Sequence, residues 1–203
     1  MADQRRAFGL RILNASHSDI VRLKREGNVA EIHGNRFWNS SFLIMDYLRR
    51  HPLKKRARVL EVGCGWGLLG MYCAAKFDAK VCGIDADRAV GAYLDLHAEL
   101  NGVRMKFEKK RFSQLTVDYL SQFDVLLGAD ICFWDELTPE LFNMIRRAKR
   151  AGVRKVMIAD PCRSPFEDLS GRCDQAFDSV KRIEKWLKKP VRASGEILIV
   201  DLN

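Results

Sequence analysis

The stretch "EVGCGWGLLG", residues 61–70, decides how this chain folds. Gly65, Gly67 and Gly70 stand at the spacing of G-x-G-x-x-G, a turn that lets the backbone bend tightly and approach a ligand closely. The residues before it, "RVLEVG" (58–63), read as a buried strand, and "GLLGMYCAAKF" (67–77) reads as the helix that follows. A glycine turn between a buried strand and a helix is how a parallel α/β unit begins.

Outward from this turn the alternation continues. "KVCGIDA" (80–86) is a second strand, and "DRAVGAYLDLHAELNG" (87–102) a helix with Asp87 as its expected N-cap and Gly102 just past its end. "VRMKFEKKRF" begins as a third strand and "FDVLLGAD" (123–130) is a fourth. "TPELFNMIRRAKRAG" predicts a helix with Thr138 at the cap, Pro139 in the first turn and Gly152 after the end. "RKVMIADP" (154–161) is a fifth strand, stopped by Pro161. The strands "SVKRIEKW" and "GEILIVDL" are joined by a polar link too short for a crossover helix, so they should pair antiparallel. The fold class is α/β, a doubly wound, mostly parallel sheet. Upstream, "RILNASHSDIVRLKREGNVAEI" holds one or two short strands, and "SSFLIMDYLRRH" (40–51) a capped helix ending before Pro52. The expected division is a basic extension, residues 1–57, packed on a domain of residues 58–203.

Composition narrows the class. With 47% hydrophobic and 30% charged residues the chain is of ordinary globular type, not a disordered one. No apolar run approaches the roughly 18 residues a membrane span needs, and the polar start "MADQRRAFGL" does not fit a secretory signal, so the expected location is cytoplasmic. The six cysteines form no C-x-x-C pair, and His17, His33, His51 and His97 have no metal or triad spacing, so no metal is expected. Residues 1–58 carry 13 Lys and Arg against 5 Asp and Glu, a surplus of 8 out of the net +9. Such asymmetry points to an acidic partner, whether nucleic acid, ribosome or acidic protein, or to a solvated basic face.

The glycines alone do not say which ligand approaches. Glu61, at the end of its strand, does: a pyrophosphate seated at the next helix would be repelled by that carboxylate, whereas a cationic ligand would be favoured. Asp85, at the end of the second strand, suits ribose hydroxyls of either ligand.

"LEVGCGWGLLG" followed by "VCGIDAD" and a terminal strand hairpin resembles the seven-β-strand, or class I, S-adenosylmethionine-dependent methyltransferases over residues 55–203. The resemblance implies seven strands in the order 3-2-1-4-5-7-6 with strand 7 antiparallel. It implies S-adenosyl-L-methionine as cofactor, contacted by Trp38, Glu61, Gly63, Gly65, Gly67, Asp85, Ala86, Phe112 and Asp130. "ADICFWDE" is similar to the D/E-x-x-Y/F motif of the family-16 group, known for protein lysine methyltransferases, through Asp130 and Phe133. These two are the expected catalytic pair, the carboxylate orienting an amine and the ring walling its pocket. Trp38 in "FWNSSFLIMDYL" fits the same group, and Trp134 and Glu136 would line the entrance. The acid that many class I enzymes carry after the third strand is replaced by "EKKRFSQL", leaving adenine to backbone groups or to Phe112. The expected function is N-methylation of a protein side chain, lysine first, by a monomer without a membrane partner. RNA or a small-molecule amine is the alternative acceptor, and a non-catalytic nucleic-acid-binding module the alternative of another class.

Overall fold

A computed structural model describes residues 3–32, 34 and 36–203. His33 therefore lies outside the described residues. The chain opens with a hairpin, β1 (Gln4–Ala7) and β2 (Leu10–Leu13), followed by helices α1 (Ser18–Arg25) and α2 (Ser40–Arg50). The alternating part comprises β3 (Arg58–Val62), α3 (Leu68–Phe77), β4 (Lys80–Asp85), α4 (Val90–Leu100) and β5 (Lys106–Lys109). After a short 3-10 turn and α5 (Val117–Leu120) come β6 (Val125–Ala129), α6 (Leu137–Arg150), β7 (Lys155–Asp160) and α7 (Ser164–Ala176). The hairpin β8 (Val180–Leu187) and β9 (Ala193–Asp201) completes the sheet.

The seven-stranded sheet runs β5-β4-β3-β6-β7-β9-β8. Numbering its strands from one gives the expected 3-2-1-4-5-7-6, with β9 antiparallel to both neighbours, opposing Met157 by Ile199 and Ile183 by Ile197. β3 and β6 lie side by side although their crossovers run to opposite sides, so the direction of winding reverses between them. Ligands of open parallel sheets bind at the carboxyl ends of the strands at such a reversal.

Both sheet faces are covered, which is why the central strands are mostly apolar: Val59, Leu60 and Val62 of β3 are buried, as are Met157 and Ile158 of β7. Helix α6 buries Leu141, Met144, Ile145 and Ala148, an i, i+3, i+4, i+7 stripe. The N-terminal residues join this core, since Leu10, Ile12, Phe42 and Ile44 pack in one cluster with Val59 and Ile199. Their burial adds apolar area to the domain; the basic residues of this stretch face outward, as Arg5, Arg6 and Arg11 do.

Four local expectations need correction. Asp87 does not cap α4, which starts at Val90 after Ala89; its carboxylate accepts instead from the backbone of Ala89, Glu31 and Ile32. Thr138 lies inside α6 and donates its hydroxyl to the Pro165 carbonyl at 3.3 Å. In the N-terminal stretch read as holding one or two short strands, β2 is followed by a helix, α1. Helix α7, absent from the sequence reading, begins with Pro165 in its first turn and buries Phe166, Leu169 and Cys173; its polar residues and Gly171 dilute the apolar period.

Helix α3 lies so close to β3 that Gly70 has no room for a side chain. A Cβ there would come 2.6 Å from Glu61 Oε2 and 2.8 Å from Val81. Gly70→Ala is expected to lower stability by about 1–3 kcal/mol, measured by urea denaturation; an unchanged midpoint would contradict this packing.

Candidate functional site

The turn after β3 is the first half of the site. Gly63, Gly65 and Gly67 all have positive φ, at 60°, 50° and 73°, a conformation that side chains with a Cβ adopt at a cost. Gly65 donates its N–H to Asp85 Oδ2 at 3.0 Å, and Asp87 N–H reaches Asp85 Oδ1 at 3.0 Å. The loop is thereby tied to the end of β4, and Ala86 sits in the turn between these two acids. Burial raises the Asp85 carboxyl above its ordinary value, while the N–H groups of Asp87 and Gly65 pull it back. Phe112 approaches from the turn after β5, its ring tip 3.8 Å from where a Gly63 Cβ would be.

Glu61 is turned inward. It is 3% exposed and accepts from Gly70 N–H at 2.9 Å beneath the first turn of α3. Burial pushes its carboxyl up to about 8, against the pull of the Gly70 and Leu69 N–H groups and with repulsion from Asp85 adding to the rise. The expected exclusion of pyrophosphate thus has a different physical basis. Glu61 occupies the helix amides that an anion would need, rather than offering a free charge at the open face.

Trp66, between Gly65 and Gly67, points into the core. Its ring stacks between Tyr93 at 5.4 Å and His97 at 4.9 Å, and its Nε1 donates to the Gly34 carbonyl at 2.9 Å. His97 is fully buried, accepting from Leu13 N–H at 3.2 Å through Nε2 and facing the Tyr93 carbonyl at 2.8 Å through Nδ1. Together with Asp87 holding Glu31 N–H at 2.6 Å, these contacts tie Leu13, Glu31 and Gly34 to the glycine loop, α4 and the turn before it.

The second half lies after β6. Asp130 has φ 55° and is buried, with both carboxylate oxygens engaged. Oδ2 accepts Ser40 N–H at 2.9 Å, and Oδ1 accepts from the Arg163 guanidinium at 3.2 Å. Helix α2 receives no side-chain cap from Asn39, so Asp130 supplies the anion at its N-terminus from a distant strand. Arg163 also donates to Asp160 at 2.6 Å and lies 4.4 Å over the Phe133 ring. Phe133 meets Trp38 edge-on at 5.3 Å, and Arg36 covers Trp38 at 4.2 Å. Trp134 is exposed and Glu136 precedes α6.

The expected residues therefore form two groups on either side of the sheet reversal. Glu61, Gly63, Gly65, Gly67, Asp85, Ala86 and Phe112 cluster around the glycine turn, whereas Trp38, Asp130 and Phe133 cluster around Arg163. A cleft of 1030 Å³ opens on the second group, with Trp66, Trp38 and Asp130 among its walls. Arg163 and Trp66 escaped the sequence reading. Arg163 is only three residues from Asp160, but its bond to Asp130 spans 33 positions and leaves no local pattern.

The residues fit S-adenosylmethionine. Each Asp85 oxygen keeps a lone pair beyond its backbone bond, as ribose hydroxyls would require. Gly65 has open space where a Cβ would stand, so backbone and ligand can meet there.

Residues 59–152 match the family described as methyltransferase domain. Phosphoethanolamine N-methyltransferase 1 of Arabidopsis thaliana is 30% identical over 129 residues, covering 59% of this chain and 24% of that protein. Calmodulin-lysine N-methyltransferase of the same plant is 28% identical over 125 residues, covering 56% of this chain and 41% of that one. The solved structure of a methyltransferase from Pyrococcus furiosus superposes with a TM-score of 0.62 at 16% identity, covering 91% of this chain and 96% of that one. The chain spans about a quarter of the length of the phosphoethanolamine methyltransferases it matches. The fold is that of the class I methyltransferases, with S-adenosylmethionine as the cofactor the domain implies.

The Glu61 carboxyl gives a pH signature. Its folded value of about 8 lies above the ordinary 4.5, so across that window the unfolded chain has lost a proton the folded chain keeps. Stability contributed by this group falls as pH rises from 4.5 towards 8, by at most about 1.4 kcal/mol per pH unit. Glu61→Gln should flatten that fall, read as the wild-type-minus-variant difference in urea denaturation at pH 5 and pH 8; parallel curves would refute the buried, raised carboxyl.

Proposed function

We propose that this chain transfers a methyl group from S-adenosylmethionine to a side-chain amine of a protein, lysine first. The observation that carries the reading is the juxtaposition, across the sheet reversal, of the open Gly65–Asp85 face with the Asp130–Phe133 turn. S-adenosylmethionine, when bound, would supply an electrophilic methyl group on its sulfonium, with the neutral thioether as leaving group. Asp85 would hold the ribose hydroxyls, Gly65 would let the backbone approach, and Phe112 would flank the adenine.

Trp38 and Phe133 would wall the acceptor side and exclude water. Asp130, with both oxygens engaged, acts here by positioning: it holds α2 and Arg163, and through Arg163 the Phe133 ring. An amine must reach this place without its proton. Desolvation in the cleft and the neighbouring Arg36 guanidinium would both lower its pKa, whereas Arg163 is already offset by Asp130 and Asp160. The similarity to calmodulin-lysine N-methyltransferase supports a protein acceptor. A small amine that bears a phosphate is the second reading, favoured by the basic cleft and by the phosphoethanolamine relatives.

Incubation of the protein with methyl-labelled cofactor and cell lysate should leave label that protease removes and ribonuclease does not, with N-methyl-lysine in the hydrolysate. Label confined to RNA or to small molecules would overturn the lysine reading. Phe133→Ala should cut transfer by about tenfold or more with cofactor affinity kept, and Asp85→Ala should weaken cofactor binding itself in calorimetry. Equal transfer by wild type and Phe133→Ala would remove the ring from the acceptor site.

A further inference from the structure

We propose that the cleft beside Asp130 docks an acidic stretch of the acceptor protein, so that the target amine is presented from an anionic surface. This rests on the reading that the acceptor is a protein amine.

Six cations and one carboxylate line the cleft. The carboxylate is Asp130, and Arg163 answers it. The remaining five come from three separate segments: Arg5 from β1, Arg36 from the stretch before α2, and Lys188, Lys189 and Arg192 from the link between β8 and β9. All five are exposed, and none forms an ion pair among the described residues. Basic residues next to the cleft are treated differently by the fold: Lys185 is paired with Asp46, and Arg182 with Glu167 and Glu196. The uncompensated charges thus converge on one concavity, where low-dielectric walls focus their field.

This field has two consequences for a lysine. It helps strip the proton from an arriving amine, but it repels the ammonium form. Carboxylates flanking the target residue would offset that repulsion and bring the amine in. A nucleic-acid strand would supply negative charge too, but its binding normally adds successive open rings for stacking. Among the cleft aromatics Trp186 is 73% exposed, whereas Phe37 and Trp66 pack on each other at 5.8 Å and Arg36 covers Trp38. One open ring suits an acidic peptide better than a run of bases.

The test uses the full chain without cofactor, so that it can fail independently of methyl transfer. Fluorescence anisotropy would compare a labelled glutamate-rich peptide bearing one central lysine with an oligouridylate of equal charge. The peptide should bind more tightly, with affinity falling as salt rises. Lys188→Glu/Arg192→Glu should weaken it by about tenfold and the milder Lys188→Gln/Arg192→Gln by less, both with unchanged thermal midpoints. Lys54→Glu/Lys55→Glu, between α2 and β3, should have little effect. Tighter binding of the oligouridylate, or equal loss in the Lys54/Lys55 variant, would overturn the proposal, as would peptide affinity indifferent to the Lys188/Arg192 reversal.

Discussion

Two buried carboxylates share one guanidinium at the carboxyl ends of β6 and β7, and the acceptor side of the molecule is organised around that contact. Asp130 and Asp160 are almost without solvent, so each would be costly as a lone charge. Arg163 satisfies both and lays its plane on Phe133. The backbone at Asp130 accepts a left-handed conformation to bring this about. Because the other Asp130 oxygen holds the first amide of α2, one carboxylate joins the N-terminal helix, the sheet and the aromatic wall.

The cofactor side rests on a similar economy. Glu61 anchors the start of α3, and Asp85 anchors the glycine turn; both are carboxyl groups used on backbone amides. Hydrogen bonds of this kind fix a loop whose glycines would otherwise leave it free. Trp66 adds an apolar anchor, and through the Gly34 carbonyl it couples the loop to the N-terminal segment. Glu31 and Gly34 contact the cofactor side and Ser40 the acceptor side, so the N-terminal segment touches both.

Much of this was legible in the chain itself. The strands followed from apolar runs separated by turns, their order from the resemblance to the class I methyltransferases, and the terminal hairpin from a link too short to cross the sheet. Gly63, Gly65, Gly67 and Asp85 were legible because backbone geometry at a tight turn demands particular residue types at fixed spacing. Helix α7 was not, since only Pro165, Phe166, Leu169 and Cys173 of its apolar residues are buried and its surface is polar. Asp87 and Thr138 were misread as caps because their side chains found partners far along the chain, Glu31 in one case and Pro165 in the other.

The sequence by itself determined the strands and the glycine turn, because these depend on local periodicity and on backbone conformations few residues allow. Only the tertiary structure decided that Glu61 accepts from the first turn of α3, that Asp130 is shared by Arg163 and Ser40, and that five cations from three separate segments meet in one cleft. Those outcomes depend on which strand ends and loops the topology brings together. Long-range pairing of charges has no period along a chain, so its pattern exists only once the sheet has formed.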